Sequence, residues 1–134
     1  MRGRIVLPAL VVASLGVMGS AADAPRAPQF VNIVAACNPS GNQRVEPSQV
    51  RIKFADNVVW RVVGNRAASF TITPKDVERW PFRRDIGGNQ TTSANSGSPA
   101  AGTAAGTYGY NVNITCADGS TQLIDPDIII GEDD

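Results

Sequence analysis

Between Tyr108 and Cys116 the chain reads Tyr-Gly-Tyr-Asn-Val-Asn-Ile-Thr-Cys. Tyr108, Tyr110, Val112, Ile114 and Cys116 recur at every second position. Side chains alternate faces along a strand, so only an extended backbone gathers these five residues onto one buried face. The same alternation returns at Val31, Ile33, Ala35 and Cys37; at Val50, Ile52 and Phe54; at Val58, Trp60 and Val62; and at Phe70 and Ile72. Turn formers separate these runs: Asn38-Pro39-Ser40-Gly41-Asn42, Asp56-Asn57, Gly64-Asn65, Gly87-Gly88-Asn89 and Asp118-Gly119. Such a chain is all-β, with seven or eight short strands in an antiparallel sandwich or Greek-key barrel.

The individual runs refine this reading. A first strand is expected at about 30–36, a second at 49–54 and a third at 58–63. Val59 and Val63 lie opposite Trp60, so the third strand is expected to be covered on both faces. Thr73-Pro74-Lys75-Asp76 has the signature of a helix start: Thr73 can cap, Pro74 suits the first helical position, and Asp76 faces the positive helix end. One short helix is expected there, ending before Pro81. Residues 91–106 are small, polar and rich in Gly, Ala and Ser, and read as a long flexible loop. Asp118-Gly119 is a hairpin signal, and Pro126 interrupts pairing in the last strand region, 122–131.

Residues 1–22 have the pattern of a secretory signal peptide. Arg2 and Arg4 precede an apolar run from Ile5 to Met18, and Gly19, Ser20, Ala21 and Ala22 supply small residues for cleavage. No Cys ends the run, which argues against a bacterial lipoprotein. Residues 23–28 read as a linker and 29–134 as one domain, large enough for a modest core of its own. The expected location is periplasmic or extracellular. The full chain carries 12 basic and 12 acidic groups; losing Arg2 and Arg4 leaves a net charge of −2. This balance gives no electrostatic footprint for nucleic acid. Past the leader, no apolar run is long enough for a membrane span.

Cys37 and Cys116 each end a strand-like run on its apolar side. In an exported chain, two buried cysteines whose strand ends meet form a bridge, and the expected disulfide is Cys37–Cys116. There is no Cys-x-x-Cys spacing that would indicate a redox or metal role.

The order of these runs resembles the cupredoxin family, the plastocyanin- and azurin-like proteins. The likeness is carried by Val-Glu-Pro-Ser-Gln-Val-Arg-Ile from Val45, Asn-Val-Val-Trp-Arg-Val from Asn57, Phe-Thr-Ile from Phe70 and Gly-Thr-Tyr-Gly-Tyr-Asn-Val from Gly106. It implies a cupredoxin-like sandwich. It also implies where copper ligands would stand, and they are missing. A blue-copper site takes two His, a Cys thiolate and usually an axial Met. The chain has no His, and both of its Met, Met1 and Met18, lie in the leader. Ala68 and Ser69 occupy the place of the first His, and Val112 that of the Cys; Cys116 falls four residues later. The loop that would supply the second His and the Met holds Cys116, Ala117, Asp118 and Gly119. Blue-copper chemistry is excluded, and no metal or cofactor is expected.

Other chemistry finds little support. Without His there is no base for a Ser or Thr nucleophile, and no Gly-rich phosphate loop is present. Asp76 and Glu78 stand two apart, where helical residues do not face each other. Asp125, Asp127, Glu132, Asp133 and Asp134 could hold calcium weakly or simply solvate a strand edge and tail. Asn89-Gln90-Thr91 and Asn113-Ile114-Thr115 match the glycosylation sequon, which matters only in a eukaryotic host.

The candidate binding surface is Arg79, Trp80, Phe82, Arg83 and Arg84, which gathers residue types common at binding hot spots. The alternative role for Trp80 and Phe82 is to plug the open end of the sandwich while the Arg side chains stay in water. The expected function is binding or structural, through an unidentified partner protein and without enzymatic activity. A carbohydrate-binding module using Trp80 and its Arg neighbours is the alternative, and a carboxylate-based enzyme the weaker third.

Overall fold

The computed structural model describes residues 27–131. The expected leader, linker residues 23–26 and the acidic residues Glu132, Asp133 and Asp134 lie outside them. Ten strands follow in order: β1 (Pro28–Val34), β2 (Arg44–Glu46), β3 (Gln49–Lys53), β4 (Asn57–Val63), β5 (Ala67–Pro74), β6 (Ile86–Asn89), β7 (Ala94–Asn95), β8 (Gly106–Cys116), β9 (Thr121–Ile124) and β10 (Asp127–Gly131). They form two sheets. Sheet one runs β2-β1-β4-β7; sheet two runs β3-β10-β8-β5-β6, with β9 paired to the far half of β8. The chain crosses from sheet one to sheet two at Pro47-Ser48 and returns at Asp56. Two sheets packed face to face in these orders make the cupredoxin-like β-sandwich that the resemblance implies.

The alternation in the sequence sets what faces inward. Val50 and Ile52 on β3, Val58 and Trp60 on β4, Phe70 and Ile72 on β5, and Tyr108, Tyr110, Val112 and Ile114 on β8 are all buried. Val31 and Ile33 on β1 and Ile128 and Ile130 on β10 complete the core. At its centre Trp60 and Tyr110 meet edge to face, with centroids 5.6 Å apart. Trp60 Nε1 donates a hydrogen bond to Tyr110 Oη at 3.1 Å, so neither polar atom is buried without a partner.

Several expectations are corrected. Among the described residues there is no helix. Pro74 belongs to β5, paired with Tyr110, and the Lys75 N–H donates to the Gly109 carbonyl. Few residues remain before Pro81, and they close one turn, Trp80 N–H to Asp76 O at 3.1 Å, which is too short to repay helix nucleation. The sandwich is not wholly antiparallel: β1 runs parallel to β4, and β3 parallel to β10. Pro28 begins the first strand rather than ending the linker, and that strand stops at Val34. The outer face of β4 is not covered, since Val63 is 49% exposed. Residues 91–106 are not a free loop. β7 pairs with β4, Ala94 and Ser96 are buried, and the Ala100 N–H donates to the Pro81 carbonyl.

Close approach requires glycine at Gly87 and, most severely, at Gly88. A Cβ on Gly88 would run into the Thr92 carbonyl oxygen and meet the Phe70 ring at 2.8 Å. Gly119 is required by conformation, with φ of 91° in the hairpin that joins β8 to β9. Asp118 accepts from the hydroxyl and backbone N–H of Ser120 in that turn, which holds its carboxyl below the usual carboxylate range.

Cys37 and Cys116 form the expected disulfide, their Cα atoms 5.8 Å apart. It joins the segment after β1 of sheet one to the end of β8 in sheet two. The Cys37 N–H also donates to Gln122 Oε1 at 3.0 Å, which fastens β9 to the same corner. The bridge spans 79 positions. Replacing both cysteines by Ser is expected to cost about 4–5 kcal/mol on the chain-entropy model, read as a lowered urea midpoint that reductant reproduces in the parent protein.

Candidate functional site

β5 delivers the chain to one end of the sandwich, and the segment that follows it carries the candidate residues. Trp80 is half-buried. Its ring meets Phe82 edge to face at 5.2 Å and lies 6.1 Å from Tyr110 at a tilt of 48°. Trp80 Nε1 donates to the Arg83 carbonyl at 3.0 Å, so the indole closes a short loop onto its own chain. Phe82 is 7% exposed and belongs to the core. Pro81 is buried, and its carbonyl accepts from Ala100. The two aromatics therefore cap the core at this end, and the indole and phenyl faces are spent on packing.

The three arginines leave this cap in different directions. The Arg79 guanidinium lies over the Tyr108 ring, 4.8 Å from its centroid. Arg83 lines a cavity of about 370 Å³ with Asn57, Asn95, Ser96 and Gly97. Arg84 lines another of about 530 Å³ with Thr71, Ile72, Thr73, Asp85, Ile86 and Gly87. All three are exposed. Among the described residues none of them forms an ion pair; the two pairs present are Arg44–Glu46 and Lys75–Asp125. The structure thus brings Trp80 and Phe82 together beneath a spread of three guanidinium groups.

Asn57, Asn95 and Ser96, beside Arg83, were not identified as site residues in the sequence. Asn57 reads there as half of a turn and Asn95 as part of a small-residue loop. They meet because β7 pairs with β4, at a sequence separation of 38 that leaves no local pattern.

The positions where the resemblance places copper ligands hold no donors suited to copper. Val112 is wholly buried in β8, in register with Ile72 on one side and Ile124 on the other. Cys116 is committed to the disulfide. Ala68 is an exposed alanine at the start of β5. No group of three His, Cys, Asp or Glu side chains comes together among the described residues. At the acidic edge, Asp125 pairs with Lys75. Asp76 is exposed and accepts from the Glu78 N–H within its own turn. Of four surface cavities of about 290 to 530 Å³, none is lined by two carboxylates. Both Tyr rings are buried, and the exposed aromatic Phe30 has the Arg61 guanidinium over its face at 4.4 Å.

No protein-family model matches the sequence, and no curated protein is significantly similar to it. Among solved structures the chain is similar to native pseudoazurin from Hyphomicrobium denitrificans, at 16% identity over 78% of this chain and 76% of that one, with a TM-score of 0.48. It is also similar to a purple cupredoxin from Nitrosopumilus maritimus, at 14% identity over 76% of this chain and 98% of that one, with a TM-score of 0.48.

Two outcomes follow from the packing of the cap. Trp80→Ala removes the contacts with Phe82 and Tyr110 and is expected to destabilise the protein by about 2 kcal/mol, below the roughly 3–5 kcal/mol of a core Trp because Trp80 is only half-buried. Urea denaturation measures this. Burial pushes the Tyr110 phenol above its ordinary value; the hydrogen bond from Trp60 pulls the other way, and the charge of Asp127 pushes up further. The unfolded chain releases this proton first. The contribution is therefore intact below about pH 10 and is lost as pH rises beyond it. In a Tyr108→Phe background, tyrosinate absorbance and the loss of native Trp fluorescence are expected to rise together; tyrosinate appearing with native fluorescence would contradict the buried phenol.

Proposed function

We propose that this chain is an exported, copper-free, cupredoxin-like binding module that engages an acidic partner protein through Arg79, Arg83 and Arg84. The observation that carries this reading is the contrast between a fixed base and unpaired charges. Trp80 and Phe82 fasten the segment to the core, while three exposed guanidinium groups have no carboxylate partner among the described residues. Side chains held on a rigid base lose less freedom on binding, and Arg favours forked contacts with carboxylates. The leader pattern supports export, and the disulfide is consistent with an oxidising compartment. The absence of His from the sequence and, among the described residues, of any pair of carboxylates in a shared cavity and of donors at the copper positions supports binding over catalysis.

The test uses N-acetylated hexaglutamate as the acidic probe, titrated into the disulfide-bonded protein by calorimetry. Arg79→Gln, Arg83→Gln and Arg84→Gln combined are expected to weaken binding about tenfold, since exposed charge pairs contribute about 0.2–1 kcal/mol each. Stability should move by no more than about 1 kcal/mol, mostly from the loss of the Arg79 contact with the Tyr108 ring. Raising salt from about 50 mM to about 500 mM should weaken the parent protein more than the variant. Equal binding by the two proteins would refute the reading.

A further inference from the structure

We infer that the cavity beside Arg83 is a seat for a carboxylate of a peptide, a proposal that rests on the reading above that this end of the molecule binds an acidic partner. The hydrogen-bonding groups around the cavity divide into those already engaged and those left free. The Ser96 proton is used: its Oγ accepts from the Val58 N–H at 2.9 Å and donates to the Gly97 carbonyl at 2.6 Å, so it offers an incoming anion no donor. Asn95 Oδ1 is also used, accepting from Asn57 Nδ2 and from the Gly97 N–H, each at 2.9 Å. What remains of Asn95 is its amide NH₂, which has no acceptor among the described residues. The Arg83 guanidinium has none either. Both groups are donors, and both border the same space of about 370 Å³.

A carboxylate matches this set. Its two oxygens accept from the planar fork of a guanidinium and leave lone pairs for the Asn95 amide. The walls are already in place. Asn57 is 8% exposed and holds Asn95, Ser96 ties the start of β4 to the residue after β7, and the Trp80 indole fixes the Arg83 carbonyl. A preformed wall reduces the ordering cost of binding. Asn57 Oδ1 accepts from no donor among the described residues. A carboxylate borne on a peptide brings an amide N–H near its own charge and can supply that donor; a free acetate ion cannot. The chemistry therefore favours a carboxylate attached to a peptide over the bare anion.

Solution NMR of the disulfide-bonded protein tests this with four probes: N-acetylglycine, acetate, N-acetylglycinamide and inorganic phosphate. The signals followed are Arg83 Nε–H, the Asn95 side-chain amide and the Gly97 N–H. N-acetylglycine is expected to shift all three saturably, acetate more weakly, and N-acetylglycinamide not at all. Arg83→Gln is expected to weaken N-acetylglycine by about tenfold, the loss of a charged, forked contact, while Arg51→Gln, on the exposed face of β3 and outside the binding segment, leaves it within about twofold. Both arginines are exposed, so both variants should fold, which their amide spectra verify. The seat is overturned if no probe shifts these signals, if Arg51→Gln weakens binding as much as Arg83→Gln, or if phosphate binds more tightly than N-acetylglycine. Hexaglutamate binding that survives such a result would leave the broader acidic-partner reading standing, so the two failures are told apart.

Discussion

The hydrogen bond from Trp60 to Tyr110 is the contact on which the rest of the molecule hangs. These are the two largest wholly buried side chains, one from each sheet. Each brings a polar atom into the core, and a buried polar atom without a partner costs about 1–3 kcal/mol. One bond satisfies both, and it fixes how β4 of sheet one sits against β8 of sheet two. Aliphatic side chains can fill the remaining space in more than one arrangement; this pair cannot slide without breaking its bond. Tyr110 also carries the site, because Trp80 packs near its ring and the arginine segment rests on Trp80.

The opposite constraint is covalent. The disulfide joins the segment after β1 to the end of β8, and the Cys37 N–H bond to Gln122 draws β9 into the same corner. Apart from Met1 and Met18, the sulfurs of the chain are thereby consumed, and Val112, where the resemblance would place a thiolate, is a buried hydrocarbon. A chain with this fold can hold a soft metal only by supplying imidazole or sulfur donors, and here the sulfur closes the fold. What the sandwich retains is a rigid frame that presents loops.

Much of this frame was legible in the sequence because burial and alternation share one period. Val50 and Ile52, Val58 and Trp60, Phe70 and Ile72, and the run from Tyr108 to Cys116 all face where a period of two places them. The disulfide was legible for the same reason. Three kinds of feature were not. Strands of two or three residues, such as β2 with Val45 as its single buried residue, show no alternation. Strand direction leaves no trace in alternation either, so the parallel pairings of β1 with β4 and β3 with β10 were invisible. The sequence Thr73-Pro74-Lys75-Asp76 suits a helix start locally, but pairing to β8 outweighs it. Of the site, Arg79, Trp80, Phe82, Arg83 and Arg84 could be identified by residue type. The division of labour between buried aromatics and spread arginines could not, nor could the meeting of Arg83 with Asn57 and Asn95.

The lack of His shapes how such a surface can be controlled. Imidazole is the one side chain whose ordinary value places a charge change between about pH 5 and 8, and this chain has none. Arginine keeps its charge throughout that range. The three arginines Arg79, Arg83 and Arg84 therefore keep their charge between about pH 5 and 8. In the binding proposed above, control passes to the ligand and the medium: the number and spacing of the ligand's carboxylates, and ionic strength acting over a Debye length of about 8–10 Å. In the seat proposed above, selection rests on placement: Arg83 and Asn95 border one cavity, while the total charge of the chain is balanced and favours no partner by itself.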